Sequence, residues 1–143
     1  MYRRASLLAL LGATFLVAAH AQSTMKMGQK KHKVVIQDSD AEPAKWNLAL
    51  NNAKNVQEDL GAAQVDIEIV AYGPGIGMLK LDSVANSRVA EAAKAGISIV
   101  ACENTMRNLK LSRDDMNPVA SYVPAGVVQL MARQSEGWAY IRP

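Results

Sequence analysis

The chain has 143 residues, with 16 Lys and Arg against 13 Asp and Glu, one cysteine and two histidines. A single cysteine excludes an intramolecular disulfide, and so few cysteine and histidine ligands exclude a structural zinc site. Aromatic residues make up 5% of the sequence and the formal net charge is only +3, which argues against a nucleic-acid-binding surface.

Residues 1–21 have the pattern of a secretory signal peptide. Arg3 and Arg4 form a short basic region, and the apolar run at 7–19 is too short for a comfortable membrane span. The sequence Ala-His-Ala at 19–21 is typical of a cleavage site. An uncleaved anchor is the alternative. We expect cleavage, transfer across the inner membrane into the periplasm, no membrane attachment afterwards and a net charge of about +1.

Residues 22–32 are polar and basic and show no periodicity, so we predict a flexible N-terminus followed by one domain at 33–143. Met25, Met27 and His32 carry atoms that soft metals prefer, but their spacing matches no defined ligand set. The acidic residues clustered at 38–42 do not have the spacing of a calcium-binding loop. The sequence therefore predicts neither a metal site nor a cofactor.

From residue 33 onward, apolar runs typical of buried strands alternate with segments of helical periodicity. The predicted strands are at 33–37, 65–71, 97–101, 121–123 and 138–141. The predicted helices are at 44–60, 86–95, 104–110 and 127–135. This alternation predicts an α/β fold: a three-layer sandwich with a mostly parallel five-stranded sheet and helices on both faces.

Two features outside the strands suggest contacts. Four asparagines, poor helix formers, fall on the outer faces of the helix at 44–60. They form either a solvated face or a subunit contact or pocket wall. The loop at 72–77 contains three glycines and a proline, but its spacing does not match a dinucleotide-binding fingerprint. We predict a tight loop near a neighbouring site, followed by one helical turn at 78–81 whose Met78 and Leu79 are further candidate subunit contacts.

The lone thiol belongs to Cys102, which follows the apolar run at 97–101 and precedes a helix start. The carboxyl ends of parallel strands form the edge where open α/β sheets bind ligands. We therefore expect a thiol that reagents can reach, with at most a modest increase in acidity from the helix start, which burial could cancel. A buried inert cysteine and a cysteine paired between chains are the alternatives. A hydrolase triad is excluded, since no Gly-x-Ser-x-Gly elbow occurs.

Several ordered segments together resemble the DsrE/DsrF-like family, in its secreted branch of small single-domain proteins. They include residues 101–106, 123–127 and 134–141, with supporting matches at 46–52 and 72–75. The resemblance implies a flavodoxin-like sandwich that forms trimers or hexamers. It also places Cys102 at the position where sulfur-relay members carry a persulfide.

The resulting prediction is a sulfur-handling protein in which Cys102 accepts or donates sulfane sulfur. Its partners would be a sulfur donor or acceptor protein, or a small sulfur species. Alternatives are an oligomeric module that binds a small molecule or peptide and has a structural cysteine, and a thiol redox sensor. Asn104 and Thr105 would donate hydrogen bonds to the sulfur anion. The full set of candidate pocket residues is Asp38, Ser39, Gly73, Gly75, Asn104, Thr105, Pro124 and Gly126.

Overall fold

The computed structural model describes residues 32–143. The predicted signal peptide and almost all of the predicted N-terminal segment lie outside them. The strands are β1 (His32–Asp38), β2 (Val65–Ala71), β3 (Ser98–Cys102), β4 (Ser121–Val123) and β5 (Ala139–Ile141). The helices are α1 (Pro43–Leu60), α2 (Asn86–Lys94), α3 (Glu103–Asn108) and α4 (Gly126–Ser135), with 3₁₀ segments at Gly73–Leu79 and Arg113–Asp115.

The sheet confirms the predicted fold class. Its strand order is β4-β3-β2-β1-β5, and all four pairings are parallel. Because β-α-β crossovers are right-handed, helices that advance from β1 towards β4 cover one face, and the returning helix α4 covers the other. The helices and the sheet make the three layers of an α/β sandwich.

The two faces of the sheet have cores of unequal size. The larger apolar cluster combines residues from α1, α2 and α3, such as Leu50, Val89 and Met106, with alternate residues of the central strands. The cluster under α4 has four buried members, Val35, Val70, Val100 and Leu130, with partly buried side chains packed against them. Since successive strand residues face opposite sides, this division follows directly from strand alternation. The single helix α4 therefore receives little apolar support from the sheet.

The segment after β2 differs from its prediction. Gly73–Leu79 is one 3₁₀ helix, and Met78 and Leu79 are fully buried in the larger core. These two side chains are not available as subunit contacts, so that prediction is wrong. A Cβ on Gly75 would lie 2.2 Å from the backbone oxygen of Asp38. Only glycine permits this approach, which brings the segment against the end of β1.

Part of the asparagine pattern on α1 has an intramolecular explanation. The guanidinium of Arg88 on α2 donates to Asn47 Oδ1 at 2.5 Å and to Asn51 Oδ1 at 2.6 Å. Two of the asparagines thus link α1 to α2. Within residues 32–143, no helix combines the length and the hydrophobicity that a membrane crossing needs.

Candidate functional site

Cys102 lies at the point where successive helices change from one face of the sheet to the other. From β3 the chain enters α3 on one face, and from the neighbouring β4 it enters α4 on the other. In open α/β sheets, the carboxyl ends of two such strands border the ligand-binding crevice. Cys102 is in register with Val123, the last residue of β4. The topology therefore puts the thiol at the position where this architecture forms its binding site.

The sulfur is surrounded by hydrogen-bond donors. Cys102 is the N-cap residue of α3, and its side chain lies at the start of that helix without making a capping hydrogen bond. The hydroxyl of Thr105 and the backbone N–H groups of Gly126, Thr105 and Asn104 all favour the thiolate. Gly126 begins α4, which means that the donors come from both sides of the crevice.

These donors make the thiol more acidic than usual. Burial by itself raises the pKa of Cys102, because a charged sulfur loses solvation, but the combined hydrogen bonds outweigh burial and lower it overall. Thr105 contributes the side-chain bond. Its Oγ1 accepts from the Gly73 N–H at 2.8 Å, which leaves the hydroxyl hydrogen free to donate to the sulfur. The site thus stabilises a sulfur anion.

The thiol is less accessible than the sequence suggests. Cys102 is only 4% exposed. Tyr72, the residue after β2, and Gly126, the first residue of α4, pack closely beside it. A Cβ on Gly126 would lie 3.0 Å from Tyr72 Cβ and 3.3 Å from Cys102 Cβ. Glycine therefore lets α4 approach Cys102, and Tyr72, which is not among the predicted pocket residues, forms a wall beside it.

Five of the candidate pocket residues come together around Cys102. Besides the contacts of Gly73, Thr105 and Gly126, the Asn104 N–H donates to the Pro124 carbonyl at 3.1 Å, which links α3 to the end of β4. The side chain of Asn104 accepts from Arg107. Its side-chain oxygen is therefore engaged by Arg107, and it is the backbone N–H of Asn104 that favours the thiolate.

The other three candidates form a separate group at the end of β1. Asp38 continues the side of β1 that carries Val34 and Ile36 towards α1, whereas Cys102 faces Gly126 of α4. Strand β2 lies between the two side chains. Gly75 packs on the Asp38 backbone, and Ser39 accepts from Gln37 Nε2 at 2.9 Å. Asp38, Ser39 and Gly75 are thus not part of the pocket that surrounds the sulfur.

Asp38 is itself unusual because the residue is only 3% exposed and its Oδ2 atom has no hydrogen-bond partner. Burial raises the pKa of Asp38 from 3.8 to about 7; the Asp40 backbone N–H opposes this rise and the Asp40 charge adds to it. The side chain therefore changes charge near neutral pH, away from the thiol.

A buried polar group holds α4 on the sheet. Glu68 of β2 accepts from Gln129 Nε2 at 2.7 Å and from Arg133 Nε and Nη2 at 3.1 and 2.7 Å. Its side chain is 3% exposed. Arg133 also lies 4.6 Å over the Trp138 ring and donates to Glu136 at 2.9 Å. We call Glu68, Gln129 and Arg133 the α4 anchor.

The outward face of α4 is apolar. Val127, Val128 and Met131 are 51%, 61% and 61% exposed. The side chains that face the sheet include those of the polar residues Gln129 and Arg133. Apolar side chains thus lie on the solvent side of α4, where a surface helix usually carries polar ones. In the part of the chain that the structure describes, no three His, Cys, Asp or Glu side chains converge as metal ligands would.

Comparison with known proteins agrees with the sequence resemblance. The model of the DsrE/DsrF-like family matches residues 17–143. The structure of MTH1491 from Methanobacterium thermoautotrophicum, a protein of unknown function, is similar with a TM-score of 0.75 and 36% identity, over 78% of this chain and 99% of that one. BT1422 from Bacteroides thetaiotaomicron, a conserved protein of unknown function, shares the fold, with a TM-score of 0.58 and 16% identity over 78% and 94% of the chains. A search of curated proteins finds no match.

Proposed function

Because the chain belongs to the DsrE/DsrF-like family, we propose that it is a sulfur carrier in which Cys102 holds sulfane sulfur as a persulfide. One observation supports this proposal above the others: hydrogen-bond donors from α3 and α4 lie around the sulfur at the carboxyl ends of β3 and β4. These donors stabilise the thiolate, which is the form of cysteine that attacks sulfane sulfur.

The transfer proceeds by sulfur–sulfur exchange. The Cys102 thiolate attacks the outer sulfur of a persulfide or polysulfide donor, a new S–S bond forms, and the donor's S–S bond breaks so that its inner sulfur leaves as a thiolate. A thiolate of the acceptor later attacks the outer sulfur on Cys102 and releases the cysteine thiolate. Each step conserves charge and needs no external oxidant. Thr105 and the Gly126 N–H stabilise the anion before and after transfer.

The sequence contains no second cysteine that could react with a persulfide on Cys102. Cys102 is the only cysteine, so a persulfide on it cannot be displaced by another thiol of the same chain. This favours a carrier over a dithiol oxidoreductase. The signal-like pattern of residues 1–21 supports a periplasmic location, where the donor would be a small sulfur species or a partner protein.

Sulfur loading is the direct test. After incubation with polysulfide and removal of excess reagent, the intact protein is expected to gain the mass of one sulfur atom, and a reductant is expected to remove it. The matched control is Cys102→Ser, which is expected to gain none, because hydroxyl groups do not take sulfane sulfur. Mass spectrometry of both proteins gives the answer. An unmodified wild-type protein, or equal gain in the serine variant, would refute the proposal.

The low exposure of Cys102 favours one competing function, a binding module in which the cysteine is a structural residue. The rate of alkylation of the native protein separates the two. A sulfur carrier must open often enough for reagents to reach the thiol, and its rate follows the thiolate fraction as pH rises. A structural cysteine reacts only when the protein unfolds, so its rate follows global unfolding.

We also propose that the protein forms a homo-oligomer, as the family resemblance implies, and that the outward face of α4 contributes to the contact. The exposed Val127, Val128 and Met131 support this, since burial against another copy would remove them from water.

Replacing Val128 by Asp is then expected to lower the molar mass measured by light scattering to that of a monomer, because the interface would bury an unpaired charge. Val84→Asp is the control, since Val84 is 78% exposed and lies outside α4. A wild-type monomer at micromolar concentration, or an equal effect of both substitutions, would count against this contact.

A further inference from the structure

The side of α4 that packs on the sheet is held by polar contacts as well as apolar ones. At helical spacing, α4 directs Gly126, Gln129, Leu130 and Arg133 inward, and two of these four residues bind Glu68. Both oxygens of Glu68 are used: Gln129 donates to Oε1 and Arg133 to Oε2. Because the apolar cluster under α4 is small, these bonds make a large contribution to the orientation of the helix.

The same helix supplies a donor to the thiol. Gly126, the first residue of α4, lies against Cys102, and its N–H is among the groups that lower the thiol pKa. Gln129 follows Gly126 by one helical turn and Arg133 by two. A helix is stiff over two turns, so a rotation or shift at the anchor moves the N–H at the sulfur.

We infer that Glu68 is a positioning residue for Cys102: through Gln129 and Arg133 it holds α4 so that the Gly126 N–H meets the sulfur. Only the biological purpose of this positioning rests on the proposed function. The positioning itself keeps the groups around the sulfur in an arrangement that stabilises an anion. Glu68 itself does not touch the thiol. In the sheet register Glu68 pairs with Ser98, four residues before Cys102, which places the two about 14 Å apart.

Glu68 could change the pKa of Cys102 by positioning α4 or by its own charge, and removing the carboxylate changes the pKa in opposite directions in the two cases. The variant Glu68→Gln removes a negative charge and leaves Arg133 positive. Acting through space alone, this change would stabilise the thiolate and lower the pKa of Cys102. The amide keeps one uncharged oxygen where the carboxylate offered two charged ones, so it loses the charge-assisted bonds to Arg133 and the anchor loosens. If position controls the thiol, the pKa of Cys102 rises instead.

The experiment is a titration of the thiolate by its ultraviolet absorbance in the full-length protein, with the Cys102→Ser form of each variant subtracted. Because Cys102 is the only cysteine, the difference reports that thiol alone. In Glu68→Gln we expect the pKa to rise by about half a unit to one unit, which is a thiolate fraction about three- to ten-fold smaller at a pH below both values. The control is Glu136→Gln, which removes an exposed carboxylate from the same arginine and is expected to leave the thiol pKa unchanged.

A second variant covers the case in which Glu68→Gln folds poorly. Gln129→Met keeps the ion pair and removes one hydrogen bond, so we expect a smaller rise in the same direction. An unchanged or lower pKa in a folded Glu68→Gln or Gln129→Met protein would overturn the inference, as would an equal rise in Glu136→Gln. The thiol has a pKa whether or not it accepts sulfur, so failed sulfur loading would refute the proposed function and leave this test intact.

Discussion

At about pH 8 the Asp38→Asn variant is expected to be more stable than the wild type by up to about 4 kcal/mol, and at about pH 4 the two are expected to be nearly equal. The cause is the burial of Asp38, which raises its pKa from 3.8 to about 7 in the folded protein. Between these values the folded state keeps a proton that the unfolded chain has released. The free energy of unfolding of the wild type therefore falls as pH rises through this window and is constant above it.

Asparagine resembles the protonated acid, since each is uncharged and has one oxygen that accepts and one group that donates hydrogen bonds. The variant avoids the buried charge at high pH without a large change in packing. Urea denaturation of both proteins across the window gives the difference. Asp40→Asn is the control: it retains Asp38 and should therefore retain most of the pH dependence. The same pH dependence in Asp38→Asn and the wild type would show that the carboxyl is solvated.

Arg133→Met is expected to destabilise the protein by about 3–5 kcal/mol, because it leaves the Glu68 carboxylate buried with Gln129 as its one remaining partner in the α4 anchor. The double variant Glu68→Met, Arg133→Met is expected to recover most of this loss, since two apolar side chains fill the same space without a buried charge. Glu136→Gln should stay within about 0.5 kcal/mol of the wild type. Urea denaturation measures all three, and a double variant less stable than Arg133→Met would contradict the explanation.

Stability and thiol acidity should separate in that double variant. It restores packing under α4 but lacks the directional hydrogen bonds of the anchor. If those bonds align the Gly126 N–H, the pKa of Cys102 in the double variant stays above the wild-type value, even where the free energy of unfolding returns towards that of the wild type. A structural role alone would restore both together.

The sequence predicts the alternation of strands and helices well because both depend on local apolar patterns. The apolar runs ending at Ala71 and Ala101 identify buried central strands, and glycines at 61 and 96 mark helix ends. The 3₁₀ segment at 73–79 could not be predicted in the same way. Its conformation depends on the contact of Gly75 with the end of β1, which joins residues far apart in the chain.

The candidate site shows a similar division. The rule that strand carboxyl ends share one edge correctly brings Thr105, Pro124 and Gly126 to Cys102, but it does not say to which face a side chain points. Side chains of a strand alternate between the two faces of the sheet, and Asp38 follows Ile36 by two residues. The sequence of β1 could therefore have placed Asp38 on the face opposite to Cys102.

Tyr72 was missed for a similar reason. Tyr72 follows β2 and lies level with Cys102, the last residue of β3. This relation depends on the register of the two strands, which the sequence alone does not give. Glu68 gives a weaker signal, a charge within a strand whose other members are mostly apolar. Its partner Arg133 lies 65 residues away, so the ion pair depends on the folded arrangement.

The two outermost strands, β4 and β5, have three residues each, whereas β1 and β2 have seven. An edge strand presents unpaired N–H and C=O groups that a foreign polypeptide can join, and short edges leave few such groups. The long apolar strands β1 and β2 each have a paired neighbour on both sides, on one side along only part of the strand. A protein that exposes valines and a methionine on one helix is thereby guarded against fibril growth through its sheet.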